Sequence, residues 1–141
     1  MNEPKKLIDT PSQTAGPFLH IGCTPRITGI NIFKSELGLT PFKDISDNEA
    51  INIKGKIYDG NDEPIIDAMI ETWQCDANGN YSSNQGFARI VTDFKTGEYQ
   101  IKTIRPGNKI NTDGTLSASY ITFWIVARGM NRPLILSLIH I

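Results

Sequence analysis

From residue 50 onward, the sequence is a series of short runs in which apolar and polar residues alternate. Ile51, Ile53 and Ile57 are separated by polar or charged residues, which is the period of a strand with one buried face. Further runs of strand-forming residues cover positions 68–74, 88–93, 99–104 and 119–127. Turn clusters separate these runs, and none of them has the 3.6-residue period of an amphipathic helix. We therefore predict an all-β fold of the sandwich or barrel type.

The connections between the runs predict how the strands pair. Residues 94–98 contain Gly97, so we expect the flanking strands 88–93 and 99–104 to form a hairpin-like unit. The run at 119–127 is almost wholly apolar or aromatic, as expected of a central strand.

The first 48 residues lack this alternation of apolar and polar residues. Pro4, Pro11 and Pro17 exclude a regular helix near the N-terminus, so we expect an extended arm laid over another surface. Beyond the arm we expect loop, with one short helical turn near residues 32–37.

The C-terminal residues end inside an apolar run. The stretch from Leu136 to Ile141 matches what a transposon-derived sequencing adaptor encodes in one reading frame. We expect a truncated reading frame that lacks the closing strands of the sandwich; the alternative is a genuine apolar edge strand. The predicted divisions are an arm and loop region (1–48), an incomplete sandwich core (49–134) and a non-native tail (135–141).

Charge and cysteine content exclude several classes of function. The net charge of −1 creates no field that would attract nucleic acid or an anionic membrane. No apolar run follows Met1 as in a signal peptide, and none approaches the roughly 20 residues of a membrane span. Cys23 and Cys75 are too few for a disulfide framework. We expect a cytoplasmic protein with two reduced thiols, of which Cys75 is buried and inert.

Generic catalytic motifs do not identify an enzyme. The sequence contains no phosphate-binding loop and no dinucleotide-binding fingerprint. Its two histidines are His20 and His140, and neither has metal-ligand spacing to a cysteine. We interpret His20 as a hydrogen-bonded structural residue rather than a catalytic base.

Four motifs carry a resemblance to a known family. They are T-P-S-Q-T-A-G-P at 10–17, E-x-W-Q-x-D-A-N-G-x-Y at 71–81, T-I-R-P-G at 103–107 and A-R-G-M-N at 127–131. Together, and in this order, they resemble the intradiol ring-cleaving dioxygenases, most closely the alpha-type chains of the two-chain members, over residues 7–134.

The resemblance implies both a fold and a reaction. It implies a β-sandwich with an extended N-terminal arm, paired with a homologous beta chain in a hetero-oligomer. The family's ferric ion is held by two tyrosines and two histidines, which suit Fe(III). The implied reaction is cleavage of protocatechuate by O₂ between its two hydroxyls, giving 3-carboxy-cis,cis-muconate.

Carried over position by position, the iron ligands are incomplete. Tyr81 occupies the place of one tyrosine, whereas Lys109 stands where the second would be. Tyr120 and Thr122 stand where the two histidines would be. The resemblance therefore implies no metal and no catalytic residue on this chain alone, with Fe(III) held by the beta chain.

The resemblance also implies a contribution to the partner's active site. Gly16 and Pro17 match arm residues near the substrate, and Arg128 matches an arginine that lines the same cavity. An arginine suits recognition of a carboxylate such as that of protocatechuate.

Alternative interpretations stay open at this point. Tyr81 could simply close a strand and turn, and Arg128 could be an ordinary surface charge. Trp73 and Trp124 are interpreted as core residues, because large aromatic side chains dominate burial. The whole chain could be a stand-alone transthyretin-like binding module, and a self-sufficient iron dioxygenase is the third alternative.

Overall fold

The computed structural model describes residues 8–34 and 38–139. One short helix and eight strands follow each other along the chain. They are α1 (Leu19–Cys23), β1 (Ala50–Lys56), β2 (Met69–Trp73), β3 (Phe87–Val91), β4 (Glu98–Ile104), β5 (Lys109–Ile110), β6 (Leu116–Ser117), β7 (Tyr120–Val126) and β8 (Leu134–Ile139). No helix in the described ranges is long and apolar enough to cross a membrane.

Two antiparallel sheets form the layers of a sandwich. The larger sheet has the order β3-β2-β7-β8, and the smaller one pairs β1 with β4. A separate two-stranded ribbon joins β5 to β6. This arrangement confirms the predicted all-β sandwich, and β7 is an inner strand of the larger sheet as its apolar sequence indicates.

The core lies between the two sheets and follows the alternation of the sequence. Its buried members are Ile70, Ala88, Ile90, Ile101, Ile121, Phe123 and Ile125. Gln74 is also buried there, with 1% of its surface exposed. Its amide nitrogen donates to the Ile104 carbonyl (2.9 Å) and its amide oxygen accepts from the Thr103 hydroxyl (2.7 Å). Because both polar ends are satisfied, Gln74 ties the end of β2 to β4 without an unpaired buried group.

The predicted hairpin between residues 88–93 and 99–104 is wrong. β3 pairs with β2 and β4 pairs with β1, so the connection crosses from one sheet to the other. Asp93 organises this crossing, because its carboxylate accepts the backbone N–H groups of Lys95 (2.9 Å) and Thr96 (2.8 Å). Such a turn uses the same residue types in a hairpin and in a crossing between layers, so its composition does not distinguish them.

Both tryptophans lie outside the core, contrary to their interpretation as core residues. Trp73 is 38% exposed, because β2 buries the opposite face that carries Ile70 and Thr72. Trp124 is partly exposed on β7 and stands opposite Glu71 of β2. The outer face of the larger sheet therefore carries both tryptophans beside the Glu71–Arg89 ion pair.

The N-terminal arm is extended over residues 8–16 and attaches to the turn that follows β7. The Ala15 N–H donates to the Met130 carbonyl (3.0 Å), and the Gly129 N–H donates to the Ala15 carbonyl (2.9 Å). The arm then enters α1, which the sequence did not predict because its five residues include Gly22. The helical turn predicted near 32–37 is not present at residues 32–34, and residues 35–37 lie outside the described residues.

The apolar C-terminal segment pairs with β7 as an edge strand. β8 runs antiparallel to β7, from Ile125 opposite Leu134 to Tyr120 opposite Ile139. Every residue of β8 is exposed. That residues 135–141 are non-native stays a prediction, and residues 140 and 141 lie outside the described residues.

Candidate functional site

A tight turn delivers Tyr81 to the end of the larger sheet. The Asp76 carboxylate accepts the backbone N–H groups of Asn78 (2.9 Å) and Asn80 (2.8 Å). The Asp76 backbone N–H in turn donates to the Asn80 carbonyl (2.9 Å). Asparagine, aspartate and glycine are favoured in such turns, so the D-A-N-G-N sequence fixes the position of Tyr81 relative to the end of β2.

Two glycines let this turn pack directly on the loop that precedes β5. Gly79 has φ +83°, and a Cβ atom there would collide with the Asn108 carbonyl oxygen. The Gly107 N–H donates to the Asp76 carbonyl (2.8 Å), and a Cβ atom at Gly107 would collide with the Ala77 carbonyl oxygen. This close approach brings Lys109 next to Tyr81.

Tyr81 contacts two of the positions that the resemblance assigns to iron ligands, Lys109 and Tyr120. Its ring stacks on Trp73 with 6.0 Å between centroids and 19° between planes. The Lys109 ammonium lies 5.5 Å from the centroid of the Tyr81 ring, a cation–π contact. Thr122 stands opposite Trp73 in the pairing of β7 with β2. We call Tyr81, Lys109, Tyr120 and Thr122 the tyrosine cluster.

The electrostatics of the tyrosine cluster favour a protonated phenol. Burial, followed by a hydrogen bond with Tyr120 and the proximity of its phenol, raises the pKa of Tyr81 well above its ordinary value. The Lys109 ammonium adds a positive charge where a metal cation would also have to be stabilised.

Arg128 lies beyond the other end of β7. Its Nε donates to Asp67 Oδ2 (2.7 Å), and its Nη2 forms an ion pair with the same oxygen. The Asp67 side chain is 6% exposed and that of Arg128 is 59% exposed. Asp67 therefore acts as a buried anchor that orients an exposed guanidinium.

A surface cleft of about 520 Å³ opens beside this ion pair. It is lined by Asp59, Glu63, Pro64, Ile65, Ile66, Asp67, Ala127 and Arg128. The arm reaches the same end of the sandwich, because the backbone of Ala15 is hydrogen-bonded to both Gly129 and Met130 in the turn after β7. Gly16 and Pro17 follow Ala15 and are exposed. The structure thus brings Gly16, Pro17 and Arg128 to one end of the molecule.

The tyrosine cluster and Arg128 do not share a site. Tyr120 begins β7, Val126 ends it, and Arg128 follows two residues later. A strand rises about 3.3 Å per residue, so the two ends of β7 are about 20 Å apart. A substrate held against Arg128 is therefore out of reach of a metal held at Tyr81.

Three other residues have structural roles. Burial raises the pKa of the Cys75 thiol, which donates to the Gly107 carbonyl (3.3 Å), consistent with an inert buried thiol. The His20 ring packs against Phe94, with 5.2 Å between centroids. Asp67 could not be predicted as a functional residue, because its only sequence signal is an acidic side chain just before the buried run at 68–74.

Comparison with known proteins identifies the family. A family model described as a dioxygenase matches residues 34–134. The chain belongs to the intradiol dioxygenase family. Two curated relatives are alpha chains of protocatechuate 3,4-dioxygenase. The one from Pseudomonas putida is 36% identical over 132 residues, which are 89% of this chain and 66% of the relative. The one from Burkholderia cepacia is 30% identical over 134 residues, which are 88% of this chain and 66% of the relative.

Solved structures of other intradiol dioxygenases share the fold. Catechol 1,2-dioxygenase from Pseudomonas arvilla C-1 superposes with a TM-score of 0.63 at 19% identity, covering 71% of this chain and 38% of that one. Chlorocatechol 1,2-dioxygenase from Pseudomonas putida gives 0.63 at 18% identity, covering 76% and 52%. This chain spans 66% of the length of the two curated relatives.

Intradiol dioxygenases are iron-dependent in general. The donor atoms of the tyrosine cluster do not match the ligands that suit a ferric ion. Lys109 and Thr122 offer an ammonium and a neutral hydroxyl at positions that the resemblance assigns to a tyrosine and a histidine. No group of three histidine, cysteine or acidic side chains within residues 8–34 and 38–139 is arranged to hold a metal.

Proposed function

We propose that the chain is an alpha-type subunit of an enzyme resembling protocatechuate 3,4-dioxygenase. In this proposal it carries no iron and lends Gly16, Pro17 and Arg128 to the active site of a homologous beta chain. The beta chain holds Fe(III), and the assembled enzyme cleaves protocatechuate with O₂ to 3-carboxy-cis,cis-muconate. The proposal is supported by the identity of 36% to an alpha chain and 30% to a second one.

The separation of the two ends of β7 carries the proposal. The tyrosine cluster takes the positions that the resemblance assigns to iron ligands but has a different donor set. Arg128 suits a carboxylate but lies beyond the far end of β7, more than about 20 Å away. A guanidinium that serves a metal-dependent reaction from this position has to face a metal on another chain. A two-chain active site satisfies both observations.

Arg128 can act on substrate through the edge of the guanidinium that faces away from Asp67. Asp67 engages Nε and Nη2, which leaves Nη1 as the edge for the ring carboxylate of the substrate. Because Asp67 offsets the charge of Arg128, we expect directional hydrogen bonds rather than a long-range field. The space around Gly16 is open, since no atom lies within 4 Å of a Cβ built there, so a substrate can approach the arm at this point.

Co-expression with the beta chain of the Pseudomonas putida enzyme tests the proposal. We expect a complex that contains iron and consumes O₂ with protocatechuate, and a chain that contains no iron when purified alone. A chain that binds iron alone, or that forms no complex with the beta chain, would contradict the proposal.

Arginine substitutions in that complex test the role of Arg128. A hydrogen bond to a charged group contributes about 1.5–3 kcal/mol, so Arg128→Ala should lower kcat/KM for protocatechuate about 10- to 150-fold. Turnover of catechol, which has no carboxylate, should fall much less. Arg132→Ala is the matched control, because Arg132 is also exposed and lies four residues further along the chain. Equal losses for both substrates would refute carboxylate recognition by Arg128.

A further inference from the structure

The backbone around Asp67 is held in place by the buried side chain of Thr92. The Thr92 hydroxyl donates to the Ile65 carbonyl (2.8 Å) and accepts the backbone N–H of Ala68 (3.1 Å). The Thr92 N–H also donates to the Ala68 carbonyl (3.0 Å), and Thr92 is 1% exposed. The chain is therefore fixed on both sides of Asp67, which leaves its carboxylate little freedom to move.

The turn that carries Arg128 is fixed in a similar way. The Ala127 N–H donates to Met130 Sδ (3.2 Å), and Ala127 is 4% exposed. Gly129 has φ +84°, and its N–H donates to the Ala15 carbonyl (2.9 Å). The ion pair between Asp67 and Arg128 thus joins two segments whose backbones are held by other contacts. It therefore determines the direction of a side chain rather than the path of the chain.

The ion pair occupies one edge of the guanidinium. An arginine has five N–H donors in a rigid plane. Asp67 Oδ2 accepts from Nε and from Nη2 of Arg128, so donors of the same edge converge on a single oxygen. The donors that remain are on Nη1 and on the far side of Nη2, and they point away from Asp67. A second carboxylate therefore has to approach Arg128 from the Nη1 end.

The cleft beside Arg128 does not attract anions by its net charge. Its lining carries the carboxylates of Asp59, Glu63 and Asp67 against the guanidinium of Arg128. The Asp59 carboxylate is held at the turn, because it accepts the backbone N–H groups of Asn61 (2.8 Å) and Glu63 (3.0 Å). An anion gains nothing from the net field here, so its binding depends on hydrogen bonds of the right direction.

We infer that Asp67 determines which substrates Arg128 accepts. By occupying the Nε edge, Asp67 restricts the arginine to contacts from the Nη1 end. The shared site then selects a substrate by the position of its carboxylate on the ring and not by its negative charge. Asp67 is a positioning residue, since it acts through Arg128 and does not itself touch the substrate. The inference rests on the proposed function, in which Arg128 faces the substrate in the active site of the beta chain.

Nuclear magnetic resonance signals of the arginine Nε–H groups test the ion pair in the chain alone. The signal of Arg128 is the one that Arg128→Ala removes. A hydrogen bond to a carboxylate slows exchange of this proton with water, so we expect Asp67→Ala to accelerate its exchange about 10-fold or more. An unchanged exchange rate would overturn the inference without any measurement on the beta chain.

Substrate selection is measured in the complex that is co-expressed with the beta chain. Asp67→Ala frees the Arg128 side chain to rotate, and ordering it again on binding costs about 2- to 10-fold in affinity. At raised ionic strength, where screening removes the gain in positive charge, we expect KM for protocatechuate to rise by this factor with kcat unchanged. Asp67→Asn keeps one oxygen as an acceptor and should give an intermediate rise.

An isomer of the substrate separates selection by position from selection by charge. The carboxylate of 2,3-dihydroxybenzoate lies next to a hydroxyl, so it does not match the direction that Asp67 imposes on Arg128. We expect its inhibition of the complex not to weaken in Asp67→Ala, so that the preference for protocatechuate narrows. An equal loss of affinity for both compounds would contradict selection by position.

Glu71→Ala is the matched control for a general loss of stability. Glu71 Oε1 holds Arg89 in the same manner, through Nε (2.7 Å) and Nη2 (2.6 Å), on the outer face of the larger sheet. Its removal breaks an equivalent ion pair away from the cleft, so we expect KM and selectivity to stay unchanged. If Glu71→Ala acts on KM as Asp67→Ala does, the inference is wrong.

The double variant of Asp67→Ala and Arg128→Ala distinguishes this inference from the proposed function. If Asp67 acts through Arg128, Asp67→Ala should not change KM in a chain that already carries Arg128→Ala. A further rise of KM in the double variant would overturn the positioning role. If Arg128→Ala alone leaves turnover of protocatechuate unchanged, the proposed role of Arg128 is wrong. If Arg128→Ala impairs turnover and Asp67→Ala does not, the inference about Asp67 alone is refuted.

Discussion

Gly79 and Gly114 form a matched pair that isolates the cost of a close backbone contact. Both have φ +83°, a conformation that favours glycine. A Cβ atom at Gly114 has no neighbour within 4 Å, whereas one at Gly79 collides with the Asn108 carbonyl. Replacing each by alanine therefore adds the same backbone strain but only one steric clash.

The two substitutions should lower the free energy of unfolding by amounts that differ by the cost of the steric clash at Gly79. Left-handed backbone costs an alanine about 1–2 kcal/mol, which is the whole effect expected for Gly114→Ala. Overpacking against a backbone atom that cannot rotate away adds about 1–3 kcal/mol. We therefore expect Gly79→Ala to lower the free energy of unfolding by about 2–5 kcal/mol.

Urea unfolding followed by circular dichroism measures both variants, and the midpoint shift times a common m-value gives each free energy. Tryptophan fluorescence gives a local measurement, because Trp73 stacks on Tyr81 and Gly79→Ala should disturb this contact. Equal destabilisation by the two substitutions would refute the packing argument. Unchanged fluorescence of Trp73 in Gly79→Ala would also refute the packing argument.

Two further predictions concern the tyrosine cluster. Because the pKa of Tyr81 is raised in the folded state, Tyr81 contributes stability below its unfolded pKa of about 10, and this stability is lost as pH rises through the folded pKa. Tyr120→Phe should lower the pKa of Tyr81, which an ultraviolet titration of the phenolate measures. An unchanged titration would exclude the hydrogen bond between the two tyrosines. Combining Lys109→Tyr, Tyr120→His and Thr122→His would supply two tyrosines and two histidines, so we expect ferric-ion uptake with visible absorption by the triple variant, whereas Lys109→Tyr alone should bind none. A triple variant that takes up no iron would show that these positions do not converge as a ligand set.

The strands were predictable because their burial follows a simple period. β1 alternates along Ile51 and Ile53, and the apolar run of β7 reflects pairing on both sides. Which strands pair was less accessible. The crossing at Asp93–Gly97 has hairpin composition, and its direction depends on contacts distant in sequence, such as Gly97 against Pro64 (2.7 Å from a built Cβ).

The candidate site was predictable only through the resemblance. The sequence contains none of the generic catalytic motifs, and it has no signal for Arg128, because an exposed arginine after a strand is ordinary. Its anchor Asp67 lies 61 residues earlier in the chain and is joined to it only by the fold. Trp73 was misassigned because hydrophobicity indicates burial but does not show which face of β2 is covered.

β7 has a further consequence for how this chain can change over evolutionary time. Under the proposed function the Tyr120 end holds no metal, so substitutions there are constrained by packing and solubility alone. Under the same proposal, Arg128 beyond the Val126 end has to match a surface on the beta chain. We therefore expect neutral substitutions to accumulate at the start of β7. Near its end, we expect substitutions that compensate for changes in the beta chain.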